Sequence, residues 1–209
     1  MSHGNGVGAW ARLLKMKAVT TFYRRVHVLV RRLDQPIPAF QPGVPVTVEQ
    51  LTEHDLPAYE AFRGKRHGAG AAARLAAGNR CFAAWHEREI VYAAWLATGR
   101  AHVSYLGGDL ILDPGDIYHF DSYTLSAFRQ RGVAKAVYAH VLRWCRDEGY
   151  RRSIRLVAVE NTAALRVTQA LGCQSVGIYG CVRVGPWQRG WQRAVDEEAL
   201  PTLVRSHSN

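Results

Sequence analysis

The stretch DIYHFDSYTLSAFRQRGVAKAVYAHVLRWCRDEG, residues 116–149, decides how this chain folds. Residues 117–125 are aromatic and β-branched, without proline or glycine, and predict a strand. Residues 126–131 are a short polar turn that ends in Gly132. Beyond it Val133, Val137, Val141 and Trp144 recur at helical spacing, with Ala136 and His140 filling the same stripe and Gly149 at the expected C-cap. The unit is a strand, a basic glycine-containing turn and a helix.

Such a unit can trap an anion. The first N–H groups of a helix lack internal partners, and the macrodipole adds about half a positive charge there. A phosphate at that end accepts several backbone hydrogen bonds at once. Gly132 lets the backbone approach closely, and Arg129, Arg131 and Lys135 surround the spot with positive charge. Spacing alone admits any phosphate or pyrophosphate, or an ordinary turn with solvated arginines. The GxxxxGK[ST] of nucleoside-triphosphate binders and the three glycines of a dinucleotide fingerprint are both missing from the turn.

Arg129-Gln130-Arg131-Gly132-Val133-Ala134 resembles the Q/R-x-x-G-x-G/A signature of GNAT acyltransferases, which cradles the pyrophosphate of acyl-CoA. Residues 153–160 predict a second strand, and NTAALRVTQALGC (161–173) resembles the family's Asn-x-x-Ala helix ending in Leu-Gly, with Asn161, Ala164, Leu171 and Gly172 in register. VTVEQLTEHDLPAYEAF (46–62) is similar to the family's opening strand and first helix. The resemblance spans about residues 44–190 and keeps the family's order. It implies an α/β fold whose mixed, mostly antiparallel central sheet is flanked by helices on both faces. It further implies acetyl-CoA or another acyl-CoA as donor, a primary amine on a small molecule, peptide or protein as acceptor, and direct transfer between them. Carried over residue by residue, it assigns cofactor binding to Leu125, Arg129, Gln130, Arg131, Gly132, Val133, Ala134, Lys135 and Asn161.

The bulk properties fit this class. A chain of 209 residues, 48% apolar and 21% charged, has room for one domain with a sizeable core. No apolar run reaches the about 18–20 residues that span a bilayer, and no secretory leader is expected. Cys81, Cys145, Cys173 and Cys181 show neither CxxC pairing nor zinc-like spacing, so buried free thiols in a reducing cytoplasm are expected, and no metal.

Of the net charge of +10, seven charges come from residues 1–33, which hold Arg12, Lys15, Lys17, Arg24, Arg25, Arg31 and Arg32 and no acid. Residues 9–23 fit a rough helical stripe and 26–32 an extended strand; residues 36–45, PIPAFQPGVP, read as a linker. The expected division is therefore a basic extension with its linker (1–43), a GNAT-like domain (44–195) and a tail (196–209). The extension has three candidate roles: packing on the main domain, lying on an anionic membrane surface, or docking to an acidic protein. The last two make it a module separable from turnover, with the protein peripheral to the membrane in one of them; nucleic acid is not an expected partner. Residues 63–80, rich in Gly and Ala, would lie across the acceptor site of the resembled fold, or form a surface loop. Residues 81–85 and 90–97 predict a hairpin, 107–109 a turn, and 176–195 two short strands around Gly185-Pro186.

Acyl transfer to an amine needs a held thioester, a deprotonated amine and stabilisation of the oxyanion and the leaving thiolate. Family members commonly take the base from the strand before the turn, at positions that match Phe120 and Tyr118. Period-two alternation places Ser122 on their face, with His119 and Asp121 on the other. A β-bulge in this strand, common in the family, would swing Asp121 inward. Asp121, Tyr118 and Ser122 are the catalytic candidates. Two positions depart from the family: Thr168 stands where many members carry a thiolate-protonating tyrosine, and Ser126 replaces a proline. An acyl-CoA-binding or scaffold protein without turnover is the alternative.

Overall fold

In the computed structural model, which describes residues 21–185 and 187–205, the first half of the chain runs β1 (Thr21–Arg32), β2 (Thr47–Gln50), α1 (Leu56–Arg63), α2 (Lys65–Gly68), α3 (Ala71–Ala76), β3 (Arg80–His86), β4 (Glu89–Ala97), β5 (Arg100–Val103) and β6 (Gly108–Ile111). The second half runs β7 (Asp116–Thr124), α4 (Val133–Asp147), β8 (Arg152–Ala158), α5 (Thr162–Ala170), β9 (Gln174–Val184), β10 (Trp187–Ala194) and β11 (Thr202–Arg205). Eight strands form one sheet in the order β10-β9-β1-β8-β7-β4-β3-β2, and β11-β6-β5 form a second. Every neighbouring pair of the large sheet is antiparallel except β7 and β8. The mixed, mostly antiparallel sheet implied by the resemblance is present.

Helices cover both faces. Val133, Val137, Val141 and Leu142 of α4 lie at i, i+4, i+8 and i+9 and are buried on one face with Tyr92, Ile117 and Val157. Each such side chain contributes about 1.5–3 kcal/mol on burial. On the other face Tyr59 and Phe62 of α1 pack with Cys81 and Trp95, and the Trp95 indole N–H donates to the Tyr59 hydroxyl at 2.8 Å. The rest of that face is closed by Val103 and Leu110 of the small sheet, which meet Val26, Val28 and Tyr118.

The segments expected as extension and tail each contribute a strand to a sheet. β1 lies inside the sheet between β9 and β8, in register from Val26 opposite Ala158 to Arg32 opposite Arg152. Its alternation follows from that place: Val26, Val28 and Val30 are buried on one face and Leu29 on the other. The proline-rich run is a strap over the turn between β7 and α4. Ile37, Phe40 and Val44 pack on the core, the Gly43 N–H donates to the Arg131 carbonyl at 2.7 Å, and the Lys135 ammonium lies 4.8 Å from the Phe40 ring. Proline excludes helix and central strand from such a run but not tight packing. At the other end β11, from the expected tail, pairs with β6. The helix expected over residues 9–23 lies mostly outside the described residues, and β1 has taken 21–23. The hairpin of β3 and β4 is present; the turn expected at 107–109 falls at 104–107, with Gly108 and Asp109 already in β6; and β9 and β10 are longer than expected, at 11 and 8 residues.

Three of the four arginines of β1 are engaged in ion pairs or hydrogen bonds. Arg24 pairs with Glu160 at 3.1 Å and Arg32 with Asp34 at 2.6 Å. Arg31 is buried and donates to the Arg32 and Pro36 carbonyls and to Gln35. Nothing in this arrangement supports a membrane or acidic partner docked on β1, although among the described residues no helix is long and apolar enough to cross a membrane.

Two features of β7 shape the space around it. Its parallel pairing with β8 runs only from Asp116 opposite Arg152 to Tyr118 opposite Ile154, after which the strands part. The root is fastened by a fork of hydrogen bonds, at 2.6 and 2.7 Å, from Arg152 to Asp116, which is only 3% exposed. Against β4, Phe120 faces Trp95 and Tyr123 faces Ala93, so Asp121 and Ser122 together oppose Ala94. This is the expected bulge, and Asp121 takes a φ of +46° there.

All four cysteines are free and buried, and burial pushes the Cys145 thiol up to about 12. In native protein a thiol reagent is expected to label none of them within minutes and all four in denaturant; rapid native labelling would contradict this packing. Deleting residues 1–33 removes a central strand, so the truncated protein is expected to be insoluble or to lose its cooperative melting transition by circular dichroism. A soluble truncation with an unchanged melting temperature would show that β1 is dispensable.

Candidate active site

The turn between β7 and α4 is built to leave backbone donors free. Ser126–Phe128 form a 3-10 turn, Gln130 takes a φ of +61°, and Gly132 at +75° is the N-cap of α4. The first backbone bond of α4 runs from the Ala136 N–H to the Gly132 carbonyl at 3.0 Å, so the Val133, Ala134 and Lys135 amides precede it without helical partners. No side chain caps this end and no acid lies in the first turn. A 15-residue helix left bare in this way presents its dipole to an anion.

A cavity of about 680 Å³ opens from this turn, within the about 300–1,000 Å³ usual for ligand sites. Arg129, Gln130, Gly132, Val133, Ala134, Lys135 and Asn161 line it, so seven of the nine expected cofactor residues converge. Asn161 caps α5, its Oδ1 accepting from the Ala164 N–H at 3.1 Å, which leaves its amide NH₂ available. Leu125 and Arg131 do not join them. The Leu125 N–H is bonded to the Val91 carbonyl at 2.9 Å and its side chain packs inward, while the Arg131 guanidinium stands 5.6 Å from the Phe128 ring and its carbonyl holds the strap.

A second cavity, about 670 Å³, lies on the far side of the parting strands, and Ser122, Arg155, Asn161 and Ala164 line both. Tyr118, Phe120 and Asp121 border the second cavity alone, as do Arg74 and Asn79 from the segment expected to cross the acceptor site. The bulge reverses part of the expected alternation. Asp121 turns to the α1–α3 side, where Arg63 donates to one carboxylate oxygen at 2.7 Å and Arg74 to the other at 2.6 Å. Ser122 turns the opposite way, and its Oγ accepts a 2.7 Å hydrogen bond from Arg155, whose guanidinium lies 4.6 Å from the Tyr138 ring. One inserted residue exchanges the faces of everything after it, which is why Ser122 leaves the side of Tyr118 and Phe120.

The remaining candidates are less suited to proton transfer. Tyr118 is buried and stacked on Phe120 with centroids 5.3 Å apart, and burial raises its phenol well above the usual range. His119 packs edge-on against Tyr138, both its ring nitrogens are sealed off without partners, and burial drives its imidazole well below the ordinary value, so it is neutral. Thr168 is buried with its hydroxyl donating to the Leu165 carbonyl at 2.9 Å, and the Tyr179 hydroxyl is bonded to the Pro201 carbonyl. A further cleft of about 740 Å³ sits at the other end of β8, where Arg32 pairs with Asp34 and Arg152 with Asp116.

Sequence reasoning missed Arg155. Its signal was a single charge in the middle of an apolar strand, Ile154-Arg155-Leu156-Val157, where alternation alone does not require one. It also missed Arg63 and Arg74 as partners of Asp121, because they come from a Gly/Ala-rich segment with no motif.

Comparison with known proteins agrees with this geometry. A 50-residue segment is 46% identical to an aminoglycoside N(6')-acetyltransferase type 1 of Salmonella typhimurium, covering 24% of this chain. The matched part is about one third of that relative's length. Among solved structures, an aminoglycoside N-acetyltransferase in complex with a bisubstrate analogue of CoA and acetylneamine is 26% identical with a TM-score of 0.50, over 61% of this chain and 90% of that one. A GCN5-related N-acetyltransferase from Sphaerobacter thermophilus, 17% identical with a TM-score of 0.53, covers 90% of this chain and 58% of its own, and shows the fold alone. The family model described as the acetyltransferase (GNAT) family matches residues 48–173. With more than half its length matched by that model, and its bare helix terminus lying within the match, the chain belongs to the GNAT acetyltransferase family, whose acyl donor is acyl-CoA.

Proposed function

We propose that this protein moves an acyl group, acetyl by default, from acyl-CoA to a primary amine by direct transfer. The observation that carries this reading is the meeting of two cavities at Ser122 and Arg155, where β7 and β8 part. A transfer site needs two substrates in contact from separate entrances. The four thiols are buried, and burial raises each above its ordinary range, so no cysteine is offered as an acyl carrier.

In this reading the amides of Val133, Ala134 and Lys135, with Arg129 and Lys135 side chains, hold the pyrophosphate. The unpaired edges of β7 and β8 offer peptide groups to an extended amide chain, as a sheet edge does to an added strand. Ser122 stands at the thioester. Its oxygen accepts from Arg155 and it lies beside the Tyr92 hydroxyl, and its own proton would turn to stabilise the oxyanion or to meet the leaving thiolate. Asp121 is the single carboxylate bordering either cavity. Arg63 and Arg74 each hold one of its oxygens, and the lone pairs that remain can take the amine's proton directly or through one water. The alternative of a binder without turnover draws support from Thr168 and Tyr179, whose hydroxyls are both engaged in the core. Release of free CoA thiol that depends on added amine separates the two.

Ser122→Ala is expected to lower kcat by about 10²–10³-fold and to leave acetyl-CoA affinity within about threefold, a free-energy change under ~0.7 kcal/mol. Asp121→Asn is expected to lower kcat by about 10²–10⁴-fold. Full turnover in both variants would remove the assigned roles. Gly132→Val should weaken CoA binding by about tenfold or more, at least ~1.4 kcal/mol by calorimetry. At a φ of +75° any side chain also costs about 1–2 kcal/mol of stability. Gly132→Ala carries that strain without the branched bulk, so the two variants should share a melting shift while the valine binds more weakly. Unchanged affinity in folded Gly132→Val would sink the assignment of the turn.

A further inference from the structure

The second cavity is cationic, and its excess charge has no counterpart in the protein. All seventeen aspartates and glutamates of the chain fall within the described residues, and Asp121 alone borders this cavity. That carboxylate is shared by two guanidiniums, Arg63 and Arg74, which leaves the cluster one positive charge in excess. Arg100 and His102, also at the cavity, are both held by Asp109, at 2.6 and 2.7 Å.

Arg155 is different. It is 6% exposed, it lines the cavity, and no carboxylate pairs with it among the described residues; its hydrogen-bonded partner is the neutral Ser122. A guanidinium taken out of water without an opposite charge is costly to keep, and an arginine fork matches a carboxylate in shape. Tyr105, Tyr118 and Phe120 supply an apolar wall beside it. A polycationic acceptor such as an aminoglycoside would meet net repulsion here.

We infer that the acceptor is an amine that also carries a carboxylate, an amino acid or a compound of that class, and that Arg155 receives the carboxylate. This rests on the transfer reading and narrows its acceptor. The carboxylate belongs to the acceptor rather than to the acyl group because the second excess cation, on Arg74 and its partners, borders the second cavity and not the one at the α4 terminus.

The test uses the full chain with saturating acetyl-CoA and measures thiol release from matched pairs: tyrosine against tyramine, phenylalanine against phenethylamine, ornithine against putrescine. The carboxylate-bearing member is expected to have at least a tenfold higher kcat/KM. Arg155→Gln should bring that ratio close to one, while Arg155→Lys should keep part of it. In parallel, 3-phenylpropionate, a carboxylate without an amine, is titrated into the acetyl-CoA-loaded protein by calorimetry and should bind in an Arg155-dependent way. Equal rates within each pair, or faster turnover of putrescine or an aminoglycoside, would overturn the inference and leave acyl transfer standing. A tenfold gain with succinyl-CoA over acetyl-CoA that depends on Arg155 would also overturn it, by moving the carboxylate to the donor. Arg155-dependent binding of 3-phenylpropionate with no thiol release from any amine would uphold the carboxylate site while removing the transfer reading. Neither binding nor turnover of the carboxylated compounds would refute the inference.

Discussion

The separation of β7 from β8 is the constraint on which the rest of the site depends. Two parallel strands in one sheet ordinarily remain paired along their shared length. Here the ladder ends at Tyr118 and Ile154, and the Arg152–Asp116 fork fastens the strands at the point from which they diverge. Beyond it each strand is held by its other neighbour, β7 by β4 and β8 by β1. A wedge thus opens inside a sheet that is continuous everywhere else. Peptide groups within a sheet would normally be paired; those facing the wedge are the ones a ligand can use.

The wedge also explains why β1 matters so far from its place in the chain. If β8 were an edge strand on that side, nothing would hold it while it leans away from β7. With Val26 opposite Ala158 and Leu29 opposite Arg155, β1 supports β8 through the region that carries Arg155. The strap of residues 36–45 does the same for the turn, fastening the Arg131 carbonyl and placing Phe40 beside Lys135. Both supports come from the segment that composition suggests is an appendage.

Several of the charges in this molecule are compensated in place, although the chain keeps a net charge of +10. Arg24, Arg32, Arg100 and Arg152 each have a carboxylate within 3.1 Å, and Asp121 has two arginines. The exposed pairs among these, such as Arg24–Glu160 and Arg32–Asp34, contribute little to stability. Two uncompensated positions lie at the site: the bare start of α4 at the first cavity, and the buried Arg155 where the two cavities meet.

The strand, turn and helix of residues 116–149 were legible from sequence because their determinants are local. Period two gives way to period 3.6, and a glycine stands where the backbone must take a positive φ. The convergence of Arg129, Gly132, Lys135 and Asn161 followed from the same local signals and the family resemblance. The bulge and the inward turn of Asp121 were expected, yet the change of face at Ser122 was not, because a strand's phase after a bulge is set by the register of β4 across from it. The place of β1 depended on pairing with residues more than a hundred positions away, which no local pattern encodes. Arg155 shows the same limit in its electrostatics. The sequence determines that a charge lies in an apolar strand; only the folded chain decides which groups pair with it, and among the described residues its hydrogen-bonded partner is the neutral Ser122 and not a carboxylate.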